Sequence, residues 1–181
     1  MDANRRLLDF GLAVLLTVIG VGTAWFLAGG LPTFGIDDAA ITRSYSENVA
    51  NGAGYVYNVG GERVEGSTAL LWVLILAVPY MLTAEPELPI LGIGFVLAVV
   101  AVFCAFRLTR LTAWRFEMRA TVPVAVVGLF LLANPGYFMW TVWSMMEIGL
   151  WSALLILLLL FLADGAERGA GAPGAVPTVL V

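Results

Sequence analysis

The sequence predicts an all-α, polytopic membrane helix bundle, and three observations support this fold class. Hydrophobic residues make up 61% of the 181 residues, whereas soluble domains average roughly 45–50%. Charged residues make up only 12%, about half of the usual quarter. Several apolar runs approach the length of about 20 residues that an α-helix needs to cross a bilayer. A soluble globule would need more polar residues to cover its surface, so the chain is predicted to lie in a membrane.

The first apolar run covers residues 7–29 and follows Arg5 and Arg6. A short basic start before an apolar stretch also occurs in secretory signals, but bulky aromatic residues near the end of this run make a poor cleavage site. We therefore interpret 7–29 as a retained transmembrane helix whose arginines hold its start in the cytoplasm. The polar segment that follows, 30–67, is then expected to be an external loop.

Further transmembrane helices are predicted over 88–106, 120–136 and 147–163. The segment between the first two is rich in arginine, and the positive-inside rule places it in the cytoplasm. That orientation requires that the shorter apolar run 69–83, which contains Pro79, does not cross. We expect this run to form an interfacial or re-entrant helix at the outer surface, and two complete crossings are the alternative.

These helices together form a predicted transmembrane module over residues 1–164. The remaining residues, 165–181, are rich in Gly, Ala and Pro, which indicates a linker or a truncated end. The chain is therefore expected to be the N-terminal part of a longer protein.

The residue types exclude several chemistries. All nine basic residues are Arg, and neither Lys nor His is present, so no Ser-His-Asp triad, His-ligated zinc site or lysine Schiff base can form. The single cysteine, Cys104, lies in an apolar run and can form neither an intrachain disulfide nor a thiolate metal site. No basic cluster indicates nucleic-acid binding. Any catalysis must therefore use carboxylates, Arg, Tyr, Ser or Thr.

Most of the functional side-chain types lie in the predicted external loop. Asp37 and Asp38 follow a segment with Pro and Gly, and the pattern over 39–50 is typical of an amphipathic helix. Arg43 and Glu47 are spaced to pair across one helical turn. The next segment, YVYNVGGERV, predicts a short hairpin that turns at its two glycines.

Each of these residues also has an ordinary structural interpretation. Asp37 is a good N-cap for the helix, and the Arg43–Glu47 pair fits an exposed ion pair of little consequence. Arg63 and its acidic neighbours fit a solvated hairpin edge, and the Tyr and Trp residues fit anchors at the membrane interface.

Two segments resemble one known family. The stretch IDDAAITRSYSENVANGAGYVYNVGGERVEGSTALLW is similar to the first external loop of GT-C glycosyltransferases, and most similar to the actinobacterial terminal arabinofuranosyltransferase-like members. That family typically shows an Asp-Asp pair after the first transmembrane helix, a turn of the form F/Y-N-x-G-x-R-V-E, and a Thr/Ser-x-x-x-W start of the next helix. The corresponding stretches are Asp37-Asp38, 57–65, which has one more residue before Arg63 than that form, and Ser67 to Trp72, in which Thr68 has the stated spacing to Trp72. The stretch WSMMEIGLWSALLILLLLFLAD resembles the family's Met/Leu-Glu helix start, with Met146 and Glu147 in those places.

The chain departs from the family in two respects. An aromatic residue often follows the Asp pair by three positions in the family, where Ala40 or Ile41 stands in this sequence. Family members are also several times longer, with further helices and usually a soluble outer domain.

The resemblance implies a GT-C-type module of a membrane glycosyltransferase. It implies a donor in which a sugar, with arabinofuranose as one candidate, is carried on a polyprenyl phosphate. The acceptor would be a hydroxyl of a cell-envelope glycan or glycolipid on the external face of the cell membrane. Asp37 and Asp38 would be catalytic, and they are also the candidate ligands of a divalent cation. The substrate-binding residues that the resemblance implies are Arg43, Arg63, Glu65, Tyr57 and Glu147.

The chemistry of sugar transfer needs these residue types. A carboxylate within hydrogen-bond reach of the acceptor hydroxyl serves as a general base, and the arginine fork matches two phosphate oxygens. A transporter would instead place ionisable residues near the membrane midplane, whereas Asp9, Glu147 and Asp164 lie at helix ends. The remaining alternatives are a non-catalytic module or scaffold that binds polyprenyl lipid, which would not need the Asp pair, and an inactive fragment of the enzyme.

Overall fold

The computed structural model describes residues 3–30, 36–62, 64 and 66–170. Within these residues the chain forms helices and turns and contains no strand, which confirms the predicted all-α membrane helix bundle. The helices are α1 (Ala3–Ala28), α2 (Asp37–Ala50), α3 (Leu70–Leu82), α4 (Glu87–Arg115), α5 (Thr121–Ala133), α6 (Pro135–Phe138), a π-helical turn (Met139–Trp143) and α7 (Ile148–Ala170).

Three of the described helices, α1, α4 and α7, are long and apolar enough to cross a membrane. A fourth crossing requires α5 and the segment 135–143 to act together, and these are bent by 71° at a break. The bend falls at Asn134 and Pro135, so the prediction of one continuous helix over 120–136 is wrong. The proline ring disfavours the helical conformation in the preceding residue, and Asn134 has φ −118° and ψ 74°. The 13 residues of α5 reach only about 20 Å, less than the hydrocarbon thickness of about 30 Å.

The basic segment after the predicted helix 88–106 is helical rather than a loop. α4 continues to Arg115, and its 29 residues extend for about 43 Å, which exceeds the hydrocarbon thickness. The helix ends in a Schellman arrangement in which the Met118 amide donates to the Ala113 carbonyl (2.8 Å), while Glu117 takes φ 54°. Arg107 and Arg110 therefore lie on the last part of a long helix.

α7 also extends beyond its predicted end at 163. The helix continues to Ala170, so the first residues of the predicted linker 165–181 are helical. Gly165 does not take the positive φ that ends many helices, which allows the helix to pass through it. Residues 171–181 lie outside the described part of the chain.

The apolar run 69–83 forms α3, which contains Pro79 and packs along α2. Its 13 residues reach about 20 Å, too short for a straight crossing of the hydrocarbon core. Its position at the outer interface stays a prediction.

The predicted hairpin over 55–64 is wrong for the residues that the structure describes. This segment is a series of bends and turns without a strand. The side chain of Asn48 donates to the carbonyls of Val56 (2.8 Å) and Tyr57 (2.9 Å), and the Tyr45 hydroxyl donates to the carbonyl of Val64. Side chains of α2 therefore satisfy backbone groups that a β-ladder would otherwise pair.

Close approach of helices in the bundle depends on small residues. α4 packs against α1, α5 and α7. A Cβ atom on Gly149 of α7 would lie 2.8 Å from the Thr141 carbonyl oxygen, and one on Gly94 of α4 would lie 3.1 Å from the same atom. The π-helical turn is thus held between two glycine positions, as expected where backbones approach closely in a membrane bundle.

One ion pair connects α1 to α4 inside the bundle. Asp9 is 0% exposed, and Arg110 donates to both of its carboxylate oxygens at 2.6–2.9 Å. The two residues lie 101 positions apart. A bidentate pair of this kind is among the stronger charge-assisted contacts, so Asp9 is a buried structural partner of Arg110 and not simply a polar residue at a helix end.

We expect Gly20→Ala to destabilise the bundle while Gly22→Ala does not. A Cβ on Gly20 would lie 2.2 Å from the fully buried ring of Phe138, whereas one on Gly22 would meet nothing within 4 Å. Overpacking of a core typically costs about 1–3 kcal/mol, and alanine in an open helical position is favoured over glycine by roughly 0.5–1 kcal/mol. Unfolding of the purified variants in detergent measures both effects, and equal loss of stability in the two variants would contradict the packing at Gly20.

Candidate functional site

The Asp pair lies at the first two positions of α2. Both carboxylates are solvent-exposed, and neither makes an ion pair or a side-chain hydrogen bond with another described residue. The residue at the N-cap is Ile36, which provides no side-chain cap, so the interpretation of Asp37 as the N-cap is wrong. Negative charge at this end of a helix is favoured by the backbone dipole. The pair is therefore available for contacts outside the described chain.

The two carboxylates cannot point in the same direction. Successive residues of an α-helix are separated by about 100° around its axis, and the next residue, Ala39, is fully buried. Thr42 and Tyr45, which follow Asp38 at helical spacing, are also buried. This side of α2 is therefore exposed at Asp38 and buried further along the helix. The body of α2 is thus anchored, while its first two residues face solvent.

Arg43 is the centre of the polar contacts that anchor α2. Its side chain donates from Nε to the Tyr80 hydroxyl on α3 (2.9 Å) and from Nη2 to Glu87 at the start of α4 (2.5 Å). Nη1 lies 3.7 Å from the sulfur of Met145. Arg43 is only 7% exposed. One guanidinium therefore connects α2 to α3, to α4 and to the segment before α7.

This position changes the interpretation of Arg43. Burial lowers the pKa of the guanidinium, but the hydrogen bonds and charges of Tyr80 and Glu87 outweigh that effect and raise the pKa above its ordinary value. Arg43 forms an ion pair with Glu87 of α4, and Glu47 is exposed. Two of the three nitrogens of Arg43 are engaged by Tyr80 and Glu87, which favours a positioning role over direct phosphate binding.

Three tyrosines organise the segment after α2. The Tyr45 ring lies 4.6 Å from that of Tyr55 and 5.9 Å from that of Tyr57 between centroids. The Tyr45 hydroxyl accepts from the Gly66 amide (2.9 Å), and the Tyr55 hydroxyl donates to the Ser67 carbonyl (2.6 Å). Tyr57 is 38% exposed. Of the three, Tyr57 therefore has the most accessible side chain.

Two of the predicted site residues, Arg63 and Glu65, lie outside the described residues. The residues next to them in sequence, Val64 and Gly66, are both bound to the hydroxyl of Tyr45 through their backbone groups. The assignment of Arg63 and Glu65 to substrate binding stays a prediction from the resemblance.

Glu147 lies immediately before α7, and its carbonyl accepts the Trp151 amide (2.9 Å), the first hydrogen bond of that helix. The side chain is half-buried, at the end of the helix where the dipole favours a carboxylate. The indole of Trp72 donates to the carbonyl of Met145 (3.0 Å), and Arg43 reaches the Met145 sulfur. The structure thus brings the start of α7 to the end of the bundle where α2 and α3 lie.

Met145 is a residue whose importance the sequence did not indicate. It is a buried non-glycine residue with φ 58°, a conformation that most side chains disfavour. Such outliers persist only where surrounding contacts enforce them, and here Trp72 and Arg43 provide those contacts. The sequence also gave no sign that Tyr80 and Glu87 bind Arg43, because neither residue belongs to a recognisable motif.

No group of three or more Asp, Glu or Cys side chains among the described residues could hold a metal ion. Asp37 and Asp38 would supply two ligands to a divalent cation, and further ligands would have to come from substrate phosphate, water or residues outside this set.

The arrangement is chemically suited to binding or deprotonating a polar group. Two exposed carboxylates lie at the positive end of a helix that Arg43 and Tyr45 anchor through partly buried hydrogen bonds. Comparison of the chain with protein-family models, curated proteins and solved structures found no significant match.

Proposed function

We propose that this protein is a membrane glycosyltransferase of the GT-C type, which moves a sugar from a polyprenyl-phosphate donor to a cell-envelope hydroxyl on the external face. The observation that carries the proposal is the exposed Asp37-Asp38, which makes no ion pair with another described residue and lies at the start of a helix anchored against a membrane bundle. Arabinofuranose is the sugar that the sequence resemblance favours.

In the proposed reaction, Asp37 accepts the proton of the acceptor hydroxyl. The acceptor oxygen forms a bond to the anomeric carbon while the bond from that carbon to the phosphate oxygen breaks. The electron pair of the broken bond leaves with polyprenyl phosphate, which needs no second acid because phosphate is a stable anion. Asp38 orients its neighbour or, with Asp37, binds a divalent cation.

The positive groups divide into two roles under this proposal. Arg43 keeps α2 in place through Tyr80 and Glu87, and Arg63 is the better candidate for the donor phosphate. Tyr57, Glu65 and Glu147 are proposed to contact the sugar or the acceptor.

A transfer assay tests the proposed function. Membranes with and without the protein are incubated with radiolabelled polyprenyl-phosphate sugars, arabinofuranose first, and with cell-envelope acceptor glycan. We expect label to move from lipid to glycan in proportion to the amount of protein. Donor that binds to the purified protein but is never transferred would contradict the enzyme and support a non-catalytic lipid-binding module.

The proposal also requires a defined topology, with the start of α1 and the end of α4 in the cytoplasm and the segment 36–62 outside. We expect Thr112→Cys, in a Cys104→Ser background, to react with a membrane-impermeant maleimide only after the cells are permeabilised. Val59→Cys, which is 71% exposed, is the matched control and should react in intact cells. Labelling of position 112 in intact cells would contradict the topology derived from the arginine distribution.

A further inference from the structure

An apolar cleft of about 1220 Å³ opens between α1, α4 and α5. Its walls are formed by side chains of all three helices. The wall residues include Leu12, Leu16, Phe106, Val124, Ala125 and Leu132. The cleft lies in the half of the bundle that contains the start of α1 and the end of α4. None of Asp37, Asp38 and Arg43 lines it. It is therefore separate from the candidate functional site.

The rim of this cleft carries positive charge. Arg5, Arg110 and Arg119 line it together with Trp114. Arg110 is bound to the buried Asp9, whereas Arg5 and Arg119 are exposed and make no ion pair with another described residue. Tryptophan is enriched at membrane–water interfaces. The rim thus has the composition of a headgroup region, and the walls have that of the hydrocarbon region.

The length of the cleft matches one leaflet of a bilayer. Its lining extends along α1 from Arg5 to Leu16 and along α5 from Thr121 to Leu132. At about 1.5 Å per residue each stretch is roughly 16 Å long. Half of a hydrocarbon core is about 15 Å thick. An acyl chain that enters from the rim would therefore find apolar walls over the whole depth of its leaflet.

We propose that this cleft binds an anionic phospholipid, with an acyl chain between α1 and α5 and the phosphate at Arg5 and Arg119. Charge complementarity selects this occupant, because basic pockets between transmembrane helices bind acidic headgroups. A free phosphate would leave the apolar walls uncovered. A zwitterionic lipid would cover the walls, but its headgroup has no net negative charge to neutralise the two arginines. The site is independent of the proposed transferase activity.

Native mass spectrometry of the protein tests the proposal, with 1-palmitoyl-2-oleoyl phosphatidylglycerol and the matching phosphatidylcholine as probes. The protein is expected to retain phosphatidylglycerol in preference to phosphatidylcholine. Arg5→Gln and Arg119→Gln should each weaken phosphatidylglycerol retention about fivefold. Arg6→Gln and Arg115→Gln are matched controls, since both residues are exposed and neither lines the cleft, and they should have little effect.

A second pair of variants tests the apolar walls. Ala125 lines the cleft, whereas Val126, the next residue of α5, is 59% exposed and does not line it. Ala125→Trp should displace one bound lipid, and Val126→Trp should not. Circular dichroism checks that each variant keeps its helices, and the arginine variants decide the question if Ala125→Trp does not fold.

Three results would overturn the proposal. The first is equal retention of the two lipids by the unchanged protein. The second is an equal effect of cleft variants and their controls. The third is a dimer mass that Ala125→Trp abolishes, which would assign the cleft to a second copy of the chain.

Discussion

Replacement of Asp37 with Asn is expected to lower the rate of sugar transfer by roughly 10²–10⁴-fold, the usual contribution of a general base. Asn keeps the shape of the side chain but cannot accept the proton of the acceptor hydroxyl. Asp37 is exposed and has no partner among the described residues, so its replacement should leave the fold and donor binding nearly unchanged. The measurement is the turnover rate at saturating donor, together with donor affinity for the same purified protein.

Two further variants make this result interpretable. Glu47→Gln removes an exposed carboxylate from the same helix and should leave turnover unchanged. Asp38→Asn tests the second member of the pair. If only Asp38→Asn lowers turnover, the roles of the two residues are reversed. If both Asp variants keep normal turnover in a protein that transfers sugar, the catalytic role of the pair is wrong while the transferase activity stands.

Replacement of Arg110 with Gln is expected to destabilise the protein by about 3–5 kcal/mol, the typical cost when one partner of a buried ion pair is removed. The loss leaves Asp9, which is 0% exposed, as a charged group without its partner. Replacement of both residues, in Asp9→Asn with Arg110→Gln, should recover much of that loss, because no buried charge remains. Unfolding free energies of the two single variants and the double variant form the cycle that measures the coupling.

Arg115→Gln is the matched control for this cycle. Arg115 lies one turn and a half further along α4 and is exposed, and single charges at such surfaces contribute little. Equal destabilisation by Arg110→Gln and Arg115→Gln would contradict a structural role for the Asp9–Arg110 pair. A double variant as unstable as the sum of the two single variants would show that the residues do not act on each other.

The fold class could be derived from composition because an apolar chain with few charges has no other stable environment than a membrane. The positions of the apolar runs also predicted where helices form, since helix formation in lipid depends on the local sequence. The ends of the helices were harder to predict from the sequence. α4 passes its predicted end to reach Arg115, and α5 stops at Asn134 because of the proline that follows.

The hairpin over 55–64 shows why local patterns fail in a loop. Tyr and Val residues around a Gly-Gly pair favour strands, but the segment is too short to compete with contacts from α2. Asn48 and Tyr45 donate to its backbone carbonyls instead. These donors are outside the segment, so no property of the segment alone predicts the outcome.

Some features of the candidate site could likewise be predicted from the sequence, and others could not. The Asp pair and its place after the first transmembrane helix follow from short-range features that a linear pattern contains. The start of α2 at Asp37, and the exposure of both carboxylates, were found only in the structure. The role of Arg43 does not follow from short-range features either, because its partners Tyr80 and Glu87 lie 37 and 44 positions away and the spacing to Glu47 offered a nearer carboxylate. Membrane residence and helix content thus follow from the composition of the chain. The ion pairs of Arg43 with Glu87 and of Asp9 with Arg110 exist only once the helices pack. Packing decides them because it determines which charged side chains are brought together away from water.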